Sequence, residues 1–173
     1  MCIRPTVSIE SFRSRAELLT YLESTGSIFT LLGEDVKVQN NFLCLKVQSG
    51  DSFLYVGILS LGSGIQPSWV LVDDHLLVGY NEQVAVFSIV DLALRVVINL
   101  LSLFFEFVTN PSLPQIYVLC ETAVVAISSR GEVTWRIDTD VICDHRIENG
   151  IIALHLMDEP PVRIDLRSGE KMA

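Results

Sequence analysis

From Ser27 onward the chain is a succession of short apolar or alternating runs, each closed by residues that turn a backbone. The runs read SIFTLL, NFLCLKV, SFLYVGIL, WVLVD, HLLVGY, QVAVFSIV, ALRVVINL, QIYVLC, AVVAISS, EVTWRID, VICDHRI, IIALHLM and PVRIDL. Between them stand QSGD, GSGIQP, VDDH, YNEQ, NPSLP, SSRGE, IENG and RSGE, whose Gly, Asn, Asp and Pro supply the positive or fixed φ of tight turns. Helical stretches do not alternate with these runs, so a parallel βαβ sheet is not expected. The expectation is an antiparallel meander.

Composition fits that reading. A chain of 173 residues suits one compact domain, and half of it is hydrophobic, with a mean hydropathy of +0.44. Such a chain does not read as disordered, and strands buried on both faces would account for the excess of apolar residues. The 12 basic residues are scattered among 21 acidic ones, for a net charge of -9. That balance repels phosphate backbones and anionic lipid, so neither nucleic acid nor a membrane is an expected partner.

Cys2, Cys44, Cys120 and Cys143 lie far apart, without the CxxC or His spacing of a zinc site. Cys44 and Cys120 fall inside apolar runs and read as small buried hydrophobes. The N-terminus carries no apolar core of a secretory signal, so reduced thiols and a cytoplasmic location are expected.

One helix stands out. Ser14 and Glu17 form a capping box, Leu18, Leu19 and Leu22 an apolar stripe, and Gly26 a C-terminal stop, which together predict a helix over residues 15 to 24. Its stripe needs a sheet to cover. The division is therefore an N-terminal segment, 1–26, whose helix packs on the sheet, and an antiparallel β domain, 27–173, within a single compact unit. The most apolar tract, from Leu92 to Val108, holds Arg95, Asn99, Ser102 and Glu106 and is too short and polar to span a membrane. It reads as two adjacent strands or one long bent strand, although its polar spacing also suits an amphipathic helix.

A repeat is visible toward the C-terminus. Gly131 and Gly169 lie about 38 residues apart, near the roughly 40–45 residues of a four-stranded propeller blade. The string from Ile116 to Asp138, with Ala126-Ile127, Gly131-Glu132 and Trp135, resembles the blade repeat of pyrroloquinoline-quinone (PQQ) enzymes, and Ile164-Asp165-Leu166-Arg167-Ser168-Gly169-Glu170-Lys171 matches the same turn. The resemblance covers residues 69–173. It rests on Gly131, Trp135, Asp165 and Gly169, with Ser128 in place of the usual acidic residue and neither Gly nor Trp around Asp91. What it implies is structural: the glycines permit the turn and the tryptophan packs between neighbouring blades. Quinoproteins of this type close six to eight blades around quinone and calcium, whereas this length holds about four blades. No cofactor is expected, and the architecture is a mainly β, antiparallel meander of propeller-like blades, as a partial propeller or a β sandwich, with one N-terminal helix.

Catalytic patterns are weak. LGSGIQ is not a nucleophile elbow, no phosphate loop occurs, and Cys143 with His145 lacks anything to lower the thiol's pKa. Asp73, Asp74 and His75 form one small acidic turn with metal-ligand chemistry and Asp138, Asp140 and Asp144, beside His145 in DTDVICDH, the other; in the second the D-x-D spacing puts the first two on one strand face and makes it the candidate metal site. A non-catalytic protein-interaction or scaffold domain of bacterial type is the expected function, with another protein or a second copy as partner. A metal-dependent enzyme using the acidic cluster and a purely structural homo-oligomer are the alternatives.

Overall fold

The computed structural model describes residues 5–34, 38–62 and 65–172. Cys2 and the Ser63-Gly64 pair of the GSG turn lie outside them. The elements, in chain order, are β1 (Thr6–Phe12), α1 (Arg15–Ser24), β2 (Phe29–Leu32), β3 (Asn41–Ser49), β4 (Ser52–Ser60), β5 (Ser68–Val72), β6 (His75–Tyr80), β7 (Gln83–Ser88), β8 (Ala93–Asn99), β9 (Phe104–Thr109), β10 (Ile116–Cys120), β11 (Ala123–Ile127), β12 (Val133–Asp138), β13 (Ile142–Glu148), β14 (Ile151–Leu156), β15 (Val162–Asp165) and β16 (Lys171–Met172). They form four sheets of four strands: β1-β3-β4-β2, β5-β6-β7-β8, β9-β10-β11-β12 and β13-β14-β15-β16. The last three are up-and-down meanders. This is a mainly β, propeller-like fold with one helix.

Each sheet packs face to face on the next. Leu45, Val56, Val78 and Phe87 fill the gap between the first and second sheets, Leu77, Val86, Val118 and Val125 that between the second and third, and Tyr117, Val124, Ile152 and Ile164 that between the third and fourth. Central strands bury both faces, which is why SFLYVGILS, HLLVGY, IYVLC and AVVAI read as nearly continuous apolar runs. The sheet-to-sheet connections repeat. After β8, Leu100 N–H donates to Glu82 O (2.7 Å) and Phe104 N–H to Asn81 O; after β12, Thr139 N–H donates to Thr122 O (3.0 Å) and Ile142 N–H to Glu121 O. In both cases the outgoing chain is clamped to the central hairpin of the sheet it leaves. Strand β9 approaches β5 and β6, so the first strand of the third sheet lies beside the first two strands of the second, away from β8.

The two ends of the stack differ. Leu18 and Leu22 of α1 are fully buried against Cys44, Tyr55 and Leu59, covering the outward face of the first sheet. The helix begins where the capping box puts it: Ser14 Oγ accepts the Glu17 N–H, and Glu17 returns the bond to Arg13 N–H (2.8 Å). Gly57 of β4 gives the helix room, because a Cβ there would meet Leu22 and Leu31. On the fourth sheet the outward positions Asp144, Arg146, His155 and Arg163 are exposed.

Three details depart from the sequence reading. Residues 6–12, assigned only to an N-terminal segment, form a strand that pairs antiparallel with β3, so the first sheet crosses the 26/27 boundary. Strand β2 pairs parallel with β4, reached through the 33–40 connection and β3. The apolar tract from Leu92 to Val108 is two strands, yet β8 and β9 belong to successive sheets and do not pair. No helix among the described residues is long and apolar enough to cross a membrane.

Candidate functional site

The residues of the repeat meet one another across a blade boundary. Tyr117, Ala126 and Trp135 are register partners on one face of the third sheet, directed at the fourth. The Tyr117 and Trp135 rings lie 5.8 Å apart. Gly169, at φ +76 in the β15–β16 turn, sits on the indole: a Cβ there would fall 2.8 Å from Trp135 Cδ2. Gly131, at φ +85, makes the equivalent approach one sheet earlier, where Val96 and Val86 replace the indole. Asp165 ties its turn by accepting the Arg167 and Ser168 N–H groups on Oδ1 (2.9 Å each), and Ser128 does the same for Arg130 and Glu132 through its hydroxyl. In the second sheet Leu92 holds the positive φ (+54) that glycine holds in the other two. The missing glycine around Asp91 is thus a leucine in the same backbone state.

The acidic cluster is dispersed. Asp138 pairs with Arg136 (2.7 Å), whose guanidinium also donates to Leu100 O. Asp140 accepts the Val141 and Asp158 N–H groups, tying β13 to the end of β14. Asp144 accepts the His145 N–H. No group of three His, Cys, Asp or Glu side chains able to hold a metal converges among the described residues. A bulge at Cys143 breaks the β13 alternation, and His145 turns to Glu106 of β9 (3.6 Å). Cys44 and Cys120 are buried, and burial pushes both thiols up to about 12; Cys143 is exposed.

Two surface features were not visible in sequence. The first is the outer edge of the second sheet. Strand β8 is hydrogen-bonded only to β7, and its Leu94, Val96 and Val97 are 39%, 37% and 40% exposed. Val90 and Leu101, more exposed still, extend the stripe at either end. Its one charge, Arg95, is tied to Asp91. Protein edges are normally blunted by charge, proline, bulges or short length; β8 carries one charge and one bulge opposite Val86-Phe87, and its other side chains up to Ile98 are apolar. Among the other outer strands, β1 carries Ser8, Glu10 and Ser11, β12 carries Arg136 and Asp138, and β16 has two residues. The second feature is an open cleft of about 630 Å³ between the third and fourth sheets, where the loop after β9 faces the Asn149-Gly150 and Asp165–Arg167 turns. It is assembled from segments far apart in the chain, so no local pattern announces it.

No protein-family model and no curated protein matches the chain. Solved structures do. It is similar to the dihydro-heme d1 dehydrogenase NirN in complex with DHE (TM-score 0.51, 14% identity, 76% of this chain and 34% of that one). It is also similar to apo AztD from Citrobacter koseri (0.50, 13%, 84% and 45%) and to the computationally designed Ika8 protein (0.49, 10%, 79% and 46%). The chain spans less than half the length of these three structures. At such identity the likeness concerns the fold, which is β-propeller-like.

Proposed function

We propose that this protein is a non-catalytic interaction module that receives an extended segment of another protein along the free edge of β8. The observation that carries this reading is the largely apolar edge from Ala93 to Asn99, whose one charge, Arg95, is paired with Asp91 and whose backbone N–H and C=O groups on one side have no strand partner among the described residues. An added strand would satisfy those groups and bury Leu94, Val96 and Val97, as in β-augmentation. Two copies of a chain carrying a charge of -9 repel each other, so a neutral or basic apolar segment suits the edge better than a second copy. The Gly131/Trp135 and Asp165/Gly169 turns are read as PQQ-type blade repeats kept for packing alone.

The test uses a soluble peptide alternating valine and lysine, titrated calorimetrically into the protein and into a Leu94→Lys/Val97→Lys variant. Saturable binding that the double variant loses by at least tenfold is expected. Absence of binding, or equal binding by both proteins, would overturn the reading.

A further inference from the structure

Two buried donors lie on the same blade boundary and have no hydrogen-bond partner: the hydroxyl of Tyr117 and the indole N–H of Trp135. Tyr117 is fully buried, and an unpaired buried donor is costly enough that each instance needs an explanation. The same pair of sheets carries the 630 Å³ cleft, whose lining does not include either ring and whose volume lies within the range of small-ligand sites. Asp165 and Arg167, two of its walls, are close enough for their charges to act on the Tyr117 hydroxyl, although burial is the larger influence on that group and raises it to about 12.

The chemistry of the walls is specific. Asp165 accepts the N–H groups of its own turn through Oδ1, and its charge interacts with the Arg167 guanidinium, which forms no direct hydrogen bond or ion pair among the described residues and so keeps its N–H donors for a ligand. Asn110 accepts the Ser112 N–H with its side-chain oxygen, which leaves its amide N–H₂ to donate outward. Asn149 holds the positive φ of a tight turn at the opposite rim. Leu113 and Ile147 add apolar wall. A single planar guanidinium flanked by amides matches a carboxylate, whereas phosphate sites gather more cationic charge or a nest of backbone N–H groups.

We propose that the cleft between the third and fourth sheets binds a small organic carboxylate, its charge held by Arg167 and the Asn110 and Asn149 amides and its alkyl part set against Leu113 and Ile147. The site is independent of the β8 edge, which lies on the second sheet.

Trp135 serves as an indirect reporter, since its ring lies against Tyr117, on which the charges of the cleft residues Asp165 and Arg167 act. In a Trp69→Phe background it is the only tryptophan, and its emission can be followed while butyrate, N-acetylvalylvaline, inorganic phosphate or chloride is added to ~10 mM, the range of millimolar affinities. The expected result is a saturable change with butyrate that Arg167→Gln weakens by at least tenfold and Arg163→Gln leaves alone. Saturation by N-acetylvalylvaline but not by butyrate would keep the carboxylate chemistry and assign it to a peptide end. No saturation by either carboxylate, equal saturation by phosphate, or a response that survives Arg167→Gln would overturn the proposal, the last two leaving an adventitious anion effect only.

Discussion

At the scale of single residues, the blade boundary between the third and fourth sheets rests on the contact of Trp135 with Gly169. Any side chain at Gly169 meets two penalties, the positive φ and the indole 2.8 Å away. Gly169→Ala should therefore destabilise by more than the ~1–2 kcal/mol that a left-handed backbone alone costs a residue with a Cβ. Trp135→Ala removes a half-buried ring from the same cluster and should cost about 3 kcal/mol. Urea melts of the two variants check both; losses well under 1 kcal/mol would mean that the turn does not pack as described. Asp165 makes a separate, pH-dependent contribution. The Ser168 N–H, and then the Arg167 N–H and the Ser168 hydroxyl, hold its carboxyl below the usual carboxylate range. A lowered folded-state pKa adds stability that is fully present above the unfolded value of about 3.9 and is lost as pH falls through the folded value. Asp165→Asn should thus be less stable than the parent at pH 7, and the gap should close on acidification below about pH 4. A gap unchanged between pH 7 and pH 3 would contradict the assignment.

Single elements carry the lesson about sequence and structure. Strands buried on both faces, such as SFLYVGILS and AVVAI, were legible because nothing else explains apolar runs so short between turns. Helix α1 was legible to its ends, since Ser14, Glu17 and Gly26 are local signals whose effect does not depend on the rest of the fold. Leu22, fully buried between α1 and Gly57, is where that helix is fastened, and Leu22→Ala should cost ~2–5 kcal/mol in a thermal or urea melt. Strand β1 was missed because TVSIESF is an exposed edge whose burial pattern is almost all polar or open, so its pairing with β3 is decided by tertiary contact. The parallel β2–β4 pair was missed for the same kind of reason: register and direction across a sheet are long-range. Of the candidate site residues, Gly131 and Gly169 could be found because they recur, and Trp135 and Asp165 because each stands at a fixed distance from one of these glycines in the blade pattern. The apolar side chains of β8 look in sequence like those of any central strand, and only the strand order makes them an edge.

On the scale of the whole molecule, four sheets stack in series, each boundary filled by its own apolar cluster, with the helix covering one outer face. Among the described residues, no cluster contains residues of both the first and the fourth sheet. Stability is therefore shared among successive boundaries, as in other architectures where each unit contacts its neighbours. The proposed function places the partner where this stack leaves backbone groups unpaired, along the outer edge of the second sheet. Amide hydrogen exchange along Ala93–Asn99, with and without the alternating valine-lysine peptide, tests that claim most directly. The account predicts that β8 amides gain at least tenfold protection when the peptide is present and gain none in the Leu94→Lys/Val97→Lys variant. Exchange along β8 that the peptide leaves unchanged, or protection that grows with protein concentration in its absence, would contradict it, the second outcome pointing to a second copy on the edge.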